Sequence, residues 1–259
     1  MPVRSSLGLA TAIAGALVVL FLATPIATLL VRAAGAGGIG AAVVDPAVQA
    51  AFRLTAVAAA AATAIGLVVG VPLGYVLARG TFRGREWLEA LVELPVVIPH
   101  PVAGIAILLA FGRLGPLGRL TGASLVGSSA GIVACMLFVG LPFLVAAARE
   151  GFALVDPRLE AVARTLGVSP LEAAVRVALP LAARSIVSGA VLMWARAVSE
   201  FGAIAVVAYH PRVASILVYD RFTTAGLAGA LPVAALLVVV ALLVFTLLRT
   251  LARPLPALR

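Results

Sequence analysis

The chain has 259 residues, of which 63% are apolar and only 11% are charged. Soluble domains are about half apolar and about a quarter charged, so the composition excludes a soluble protein and indicates a polytopic membrane protein. The formal net charge of +9 at first suggests nucleic acid as a partner. Arginine also accumulates on the cytoplasmic loops of membrane proteins, which explains the charge of so apolar a chain better. We therefore expect a lipid membrane around the chain and no nucleic-acid partner.

Six segments are apolar and long enough to be membrane-spanning helices, which need about 20 residues each. The first run, Leu7 to Val31, is too long for the apolar part of a cleaved signal peptide, so we expect it to be retained. The sequence thus predicts an all-α fold with six transmembrane helices in one domain, residues 1–259. The predicted spans are about 8–32, 48–78, 95–112, 125–147, 186–207 and 230–249.

The arginines predict the orientation of these spans, because basic residues favour the cytoplasmic side. If both termini are cytoplasmic, most arginines lie inside, including those of a long loop at 149–184. The inner set is Arg4, Arg79, Arg83, Arg85, Arg149, Arg158, Arg164, Arg176, Arg184, Arg249, Arg253 and Arg259. The outer set is Arg32, Arg113, Arg119, Arg212 and Arg221. We therefore expect a multi-pass protein of the cytoplasmic membrane with both termini inside.

The loop contains the longest charged segment, residues 156–180, DPRLEAVARTLGVSPLEAAVRVALP. Two helical pieces meet at Gly167, and Ser169-Pro170 has the residues preferred at a helix start. The pattern predicts a helix–turn–helix that lies at the membrane face and exposes its turn. A rigid, exposed turn between two spans is suited to docking a soluble partner.

Prolines surround the start of the predicted third span, at Pro95, Pro99 and Pro101, with His100 between them. Each proline removes a backbone donor and can break a helix. Broken helices in membranes are tolerated where they line a cavity or pack on protein. Either a partly unwound entrance to a transport pathway or a plain kinked helix start fits this pattern, and His100 is a candidate for substrate contact or for simple packing.

Charged residues also occur inside the predicted fifth span, at Arg196 and Glu200, with Ser199 between them. Charges within a membrane are costly and usually face the bundle interior or water. Because Arg196 and Glu200 are four residues apart, they share a helix face and can pair. The next glycine, Gly202, permits close helix packing. A pathway or gate element and a structural ion pair both fit these residues.

Enzymatic chemistry has little support in the sequence. There is no spacing typical of metal ligands, no G-x-x-x-x-G-K-[ST] phosphate loop, and no evident partner that would activate Ser199. Cys135 is the only cysteine, so no disulfide forms within the chain. We expect no catalytic residues, no metal and no cofactor, and any ATP that drives transport must be bound by another subunit.

The segment 156–180 resembles the cytoplasmic EAA loop of permease subunits from ATP-binding-cassette (ABC) importers. That motif has a glycine, then after fixed spacing an aliphatic residue and Leu-Pro, and here Gly167, Val177, Leu179 and Pro180 match it. The front half departs from the motif, because its three positions hold Ala161, Val162 and Ala163, and the acid, Glu160, stands one place early. The resemblance implies a docking site for an ATPase and the type I importer permease fold.

Two further stretches, 95–112 and 199–236, resemble the molybdate and tungstate branch of these permeases more than the related sulfate branch. The resemblance implies a homodimeric permease, two ATPase subunits that bind ATP and Mg²⁺ on the cytoplasmic side, and an external solute-binding protein. An importer of sulfate or thiosulfate is the first alternative. An ion-coupled secondary transporter and a membrane scaffold without transport activity are the others.

Overall fold

A computed structural model describes residues 3–35 and 38–251, and most of these residues are helical. The predicted inner residues Arg253 and Arg259 lie outside the described part of the chain. In chain order the helices are α1 (Val3–Gly35), α2 (Gly38–Val44), α3 (Pro46–Arg79), α4 (Arg85–Val97), α5 (His100–Phe111), α6 (Pro116–Thr121), α7 (Ser129–Ala153), α8 (Pro157–Thr165), α9 (Pro170–Ala173), a π-helical turn (Ala174–Ala178), α10 (Leu179–Val198), α11 (Gly202–Val207) and α12 (Ala214–Leu251).

Six segments of the described chain are long and apolar enough to cross a membrane, which confirms the predicted number. They are Gly8–Gly35, Pro46–Arg79, His100–Thr121, Ser129–Ala153, Pro170–Val198 and Ala214–Thr250. Many of their apolar side chains are exposed; Phe21 of α1, for example, is 78% exposed. Such a surface is stable only against lipid or other apolar protein surface.

Two span boundaries differ from the predicted ones by about four turns. The fifth span begins at Pro170 rather than near 186, and the sixth at Ala214 rather than near 230. The first turns of both helices carry polar residues, such as Arg176 and Asp220, which lower the local hydropathy without preventing helix formation. A hydropathy pattern therefore locates the apolar middle of these helices and misses their polar ends.

The packed centre of the bundle consists of α3, α7 and α10. Three glycines one turn apart on α3, Gly66, Gly70 and Gly74, face α7 and α10. A Cβ on Gly74 would come within 2.7 Å of the Ala148 Cβ on α7, so the two backbones nearly touch. Small residues that allow such close approach are typical of helix packing in membranes.

The last helix, α12, bends at Gly226, whose φ of 68° and ψ of −164° are not helical. Its first half packs on α2 and α3 through a small apolar cluster that includes Ala42, Val48 and Leu217. The buried Thr55 hydroxyl of α3 accepts a hydrogen bond from the Ala214 backbone N–H at 2.8 Å. The start of α12 is therefore fixed to α3.

Candidate functional site

We call residues 156–180 the docking loop, and its first half is the helix–turn–helix that the sequence predicts. Asp156 caps α8 by accepting the Arg158 N–H at 2.9 Å. Gly167 forms the turn with a φ of +91°. Ser169 caps α9 by accepting the Glu172 N–H at 3.3 Å, and the Glu172 carboxylate accepts the Ser169 N–H at 3.1 Å. The predicted cap at Ser169-Pro170 is confirmed.

The second half of the docking loop is a continuous helix. From Pro170 the chain passes through α9 and the π-helical turn directly into α10. Val177 is in the π-helical turn, while Leu179 and Pro180 are the first residues of α10. The Leu-Pro end of the motif therefore lies inside this continuous helix, directly after the π-helical turn, where Pro180 has no backbone N–H to donate.

The motif residues differ in exposure. Ala161, Gly167 and Pro180 are exposed, and Ala163, Val177 and Leu179 are partly buried. Around them, large apolar side chains face outward: Leu166 is 81% exposed, Leu171 74% and Val162 59%. An exposed apolar patch beside the turn is typical of a protein interaction site.

Glu160 points away from this exposed surface, into the bundle. Its carboxylate pairs with the guanidinium of Arg79, the last residue of α3, at 2.8 Å. It also accepts a hydrogen bond from the Tyr75 hydroxyl at 2.6 Å. Arg79 in turn donates to the Val155 carbonyl at 2.8 Å. The side chains of Arg79 and Glu160 are only 17% and 11% exposed. The sequence does not indicate Arg79 and Tyr75 as partners of Glu160, because both are more than 80 residues away in the chain.

Four of the predicted pathway residues come together around the buried carboxylate of Glu200, and we name this group the buried charge cluster after that carboxylate: His100, Arg196, Ser199 and Glu200. Arg196 pairs with Glu200 at 2.9 Å, as the sequence predicts, and donates to the Ser199 hydroxyl at 3.0 Å. His100 Nδ1 lies 3.3 Å from the Glu200 carboxylate and contacts the Arg196 guanidinium. The break between α4 and α5 brings His100 to this position.

Glu200 is the centre of the cluster, with a side chain that is 1% exposed. The prediction that Glu200 lies inside a fifth span reaching 207 is wrong, because α10 ends at Val198 and Glu200 lies just beyond it. Its second oxygen accepts the Ala203 N–H at 2.8 Å at the start of α11. Its backbone carbonyl accepts the Ser215 hydroxyl of α12 at 2.7 Å. One carboxylate thus holds the ends of α10 and α11 beside α5.

The two prolines predicted with this site are close to it in sequence but make different contributions. Pro95 is buried inside α4, and Pro99 is the exposed residue just before α5. The backbone at Ile98 and Pro99 is extended, with ψ near 140°. The helix is broken at Ile98 and Pro99, between α4 and α5, and both interpretations of the proline pattern allow such a break.

Chemically, the buried charge cluster offers donors to an anion while keeping its own charge nearly balanced. The side chains of His100 and Arg196 are 41% and 21% exposed, so both can reach a molecule that passes beside them. Glu200 lies behind them and partly neutralises them. A charge held this way can attract an oxyanion without binding it tightly.

Away from both sites, two ion pairs hold the first turns of α12. One joins α12 to the start of α3, and the other joins α12 to the segment just before it. Arg221 pairs with Asp45, which also caps α3. Arg221 and the Ala47 N–H lower the pKa of Asp45 below its ordinary value of 3.8. Asp220 pairs with Arg212 at 3.4 Å and accepts from the Tyr209 hydroxyl at 3.2 Å. Burial and the Asp220 carboxylate raise the pKa of Tyr209.

Comparisons with known proteins agree with this geometry. The family described as "Binding-protein-dependent transport system inner membrane component" matches residues 70–255. The molybdate/tungstate transport system permease protein WtpB of Thermococcus kodakarensis is 44% identical, over 91% of this chain and 92% of its own. A probable sulfate transport system permease protein of Chlorella vulgaris is 32% identical, over 79% of each chain.

The fold is also similar to that of solved transporters. A chain of the inward-facing MetNI methionine ABC transporter superposes with a TM-score of 0.65, covering 80% of this chain and 94% of its own, at 18% identity. At this identity the likeness concerns the fold alone, and that fold is the one found in ABC importer permeases.

Proposed function

Because this chain belongs to the family of inner membrane components of binding-protein-dependent transport systems, we propose that it is the permease subunit that carries molybdate or tungstate in an ATP-driven importer. The choice of substrate rests on the similarity to a molybdate/tungstate permease, which is 44% identical over nine-tenths of both chains. The relative named for sulfate is more distant, at 32% identity.

The permease acts as one half of a homodimer, with one ATPase subunit docked on each docking loop. The ATPases bind ATP and Mg²⁺, and an external solute-binding protein delivers the anion. The exposed turn at Gly167 and the apolar side chains of Leu166 and Leu171 support this docking. Both termini then face the cytoplasm, in agreement with the arginine pattern.

Transport follows alternating access. ATP brings the two ATPases together, the docking loops move with them, and the pathway opens towards the binding protein. Hydrolysis then returns the pathway to the inward-facing state. His100 and Arg196 are the gate residues that contact the anion briefly. The position of Glu200 supports this assignment, because its carboxylate pairs with Arg196 and lies 3.3 Å from His100.

Uptake by the reconstituted complex tests the proposal. Vesicles that contain the permease, its ATPase and its binding protein are given labelled molybdate with unlabelled tungstate or sulfate as competitor. ATP-dependent uptake that tungstate suppresses and sulfate leaves nearly unchanged is the expected result. Uptake by the permease alone, without nucleotide or another subunit, would contradict an ATP-driven importer.

Sulfate or thiosulfate is the second candidate, and the similarity to a sulfate-named permease favours it. These anions are also tetrahedral and doubly charged, so the buried charge cluster can serve them equally well. Labelled sulfate, given to the same vesicles with unlabelled molybdate or tungstate, tests this candidate, and ATP-dependent sulfate uptake that neither competitor suppresses would select it.

A further inference from the structure

Side-chain contacts join the docking loop to α3, and they are made by Glu160, Arg79 and Tyr75. The chain does not run directly from one of these elements to the other. Tyr75 and Arg79 are one turn apart on α3 and so share a face. Both reach the same carboxylate, at 2.6 Å from the Tyr75 hydroxyl and 2.8 Å from the Arg79 guanidinium. We call these three residues the α3 latch.

The position of each partner strengthens the latch. Arg79 is the last residue of α3, and Glu160 is in the first turn of α8. A cation is favoured at the C-terminus of a helix and an anion at the N-terminus, so both helix dipoles support the charges. The latch is also shielded from water, since Arg79 and Glu160 are 17% and 11% exposed.

Two further contacts fix the positions of Arg79 and Tyr75. Arg79 donates a second hydrogen bond to the Val155 carbonyl, just before α8. The Tyr75 ring packs edge-on against Phe152 of α7, with ring centroids 5.1 Å apart. The end of α3 therefore contacts the chain on both sides of the α7–α8 connection.

From this geometry we propose that the α3 latch makes α8 and α3 one rigid unit, which transmits movement of the docked ATPase to α3. The inference rests on the proposed ATP-driven function. Without the latch, the exposed helix α8 would pack mainly on its neighbours in the chain, α9 and the π-helical turn that leads into α10. With it, α3 moves as well, together with the tightly packed α7.

The latch residues are positioning residues, so their loss should lower the amount of anion moved per ATP hydrolysed. Glu160→Gln removes the charge and keeps the shape, and Tyr75→Phe removes one hydrogen bond and keeps the ring on Phe152. Hydrogen bonds to charged groups correspond to a factor of about ten or more in an equilibrium, and ordinary ones to a few-fold. The Tyr75 and Arg79 bonds both end on the charged Glu160 carboxylate. We therefore expect transport per ATP to fall by about tenfold or more in Glu160→Gln, which weakens both bonds, and by less in Tyr75→Phe, which removes only one.

Glu86→Gln is the matched control, because Glu86 is an exposed acid in the first turn of α4, as Glu160 is in the first turn of α8, and lies outside the docking loop. The assembled complexes should hydrolyse ATP at a rate close to that of wild type. If the complex with Glu160→Gln does not assemble, the transport-to-hydrolysis ratio of Tyr75→Phe alone tests the proposal. A transport-to-hydrolysis ratio that stays at the wild-type value in the variants that assemble, or that falls equally in Glu86→Gln, would overturn the proposal.

A second measurement does not depend on the cargo, so it separates failure of the latch from failure of the proposed substrate. The exposed residues Val57 of α3 and Leu159 of α8 are each replaced by cysteine and spin-labelled, in a Cys135→Ala background that has no other cysteine. Labelled chains are diluted with unlabelled ones, so that only distances within one chain are measured. In the complex with the ATPase, the distance between the labels should stay the same when ATP is added, and should shift in Glu160→Gln. A distance that changes with ATP in the otherwise unaltered chain would show that α3 and α8 move independently.

Discussion

At the residue scale, the closest backbone approach beside the buried charge cluster is at Gly202. A Cβ there would lie 2.7 Å from the His100 Cβ and 3.2 Å from Pro101 Cδ. Neither atom is at the free end of a flexible side chain, so α5 and α11 would have to move apart. The sequence predicts close packing at this glycine, and the structure identifies α5 as the neighbour.

We therefore expect Gly202→Ala to destabilise the protein by about 1–3 kcal/mol, the usual cost of overpacking. Thermal unfolding of the purified protein in detergent measures the effect as a lower midpoint. Gly15→Ala is the control, because nothing lies within 4 Å of a Cβ at Gly15 and alanine is the better helix residue. Equal midpoints for Gly202→Ala and wild type would contradict the close contact.

The lowered pKa of Asp45 predicts that the stability of the folded protein depends on pH. This pKa is lowered first by the hydrogen bond from Arg221 and then by the Ala47 N–H. A carboxyl with a lower pKa in the folded protein contributes stability above its unfolded pKa, and this contribution is lost as the pH falls through the folded value. Stability should therefore decrease as the pH falls below about 4.

Asp45→Asn tests the origin of this decrease. Asparagine still caps a helix but has no charge for Arg221, so the variant should be less stable than wild type near neutral pH. Unfolding midpoints measured at a series of pH values should converge for the two proteins in acid. A constant difference at every pH would mean that the charge of Asp45 contributes nothing.

Glu160 shows what sequence spacing contains and what it leaves out. Gly167 and Ser169-Pro170 predict the helix–turn–helix correctly, because caps and turns depend on neighbouring residues. The partners of Glu160 are not predictable in this way, since Arg79 and Tyr75 reach it only after three helices have packed. An ionisable residue at a span end, such as Arg79, is read from sequence as a topology signal, which hides its role in an ion pair.

At the scale of elements, the turn at Gly167 sets the direction of the docking loop. Its φ of +91° is in the left-handed region, where any other residue costs roughly 1–2 kcal/mol. Gly84 has the same φ of +91° and, like Gly167, no atom within 4 Å of a built Cβ. It forms the turn before α4 and is not part of the docking loop. The two glycines thus make a matched pair.

Gly167→Trp should prevent the ATPase from docking, because it strains the turn and adds a large side chain to the exposed surface. Gly84→Trp introduces the same strain elsewhere and should leave docking intact. Co-purification of the ATPase with each permease variant measures the effect. Recovery of the ATPase with Gly167→Trp in the wild-type amount, together with normal transport, would show that the turn has no docking role.

The helix boundaries show the same limit of sequence reasoning at this scale. The hydropathy pattern predicts all six spans, because each has an apolar middle of sufficient length. It does not predict that α9, the π-helical turn and α10 form one helix from Pro170, since the charged residues Glu172 and Arg176 interrupt the apolar run. These residues lie on an exposed helix surface, where the backbone remains helical regardless of side-chain charge.

At the scale of the whole molecule, the proposed role of the buried charge cluster in the pathway leads to a prediction of how tightly the permease holds its anion. A transporter must bind its ion well enough to admit it and weakly enough to release it. Arg196 is the cation of the buried charge cluster, and Glu200 pairs with it at 2.9 Å. An anion that reaches Arg196 therefore competes with a carboxylate already in place. We expect the complex without its binding protein to have no tight anion site.

Equilibrium dialysis of labelled molybdate against the permease–ATPase complex should show no saturation below about 1 mM, which corresponds to a binding free energy near −4 kcal/mol. Glu200→Gln removes the competing charge and leaves an amide that can still accept the Ala203 N–H. This variant should retain molybdate more tightly and release it more slowly, so that uptake falls while binding rises. Saturation of the wild-type complex at micromolar molybdate, or weaker binding in Glu200→Gln, would mean that Glu200 does not act as the counter-charge that keeps the pathway from trapping its anion.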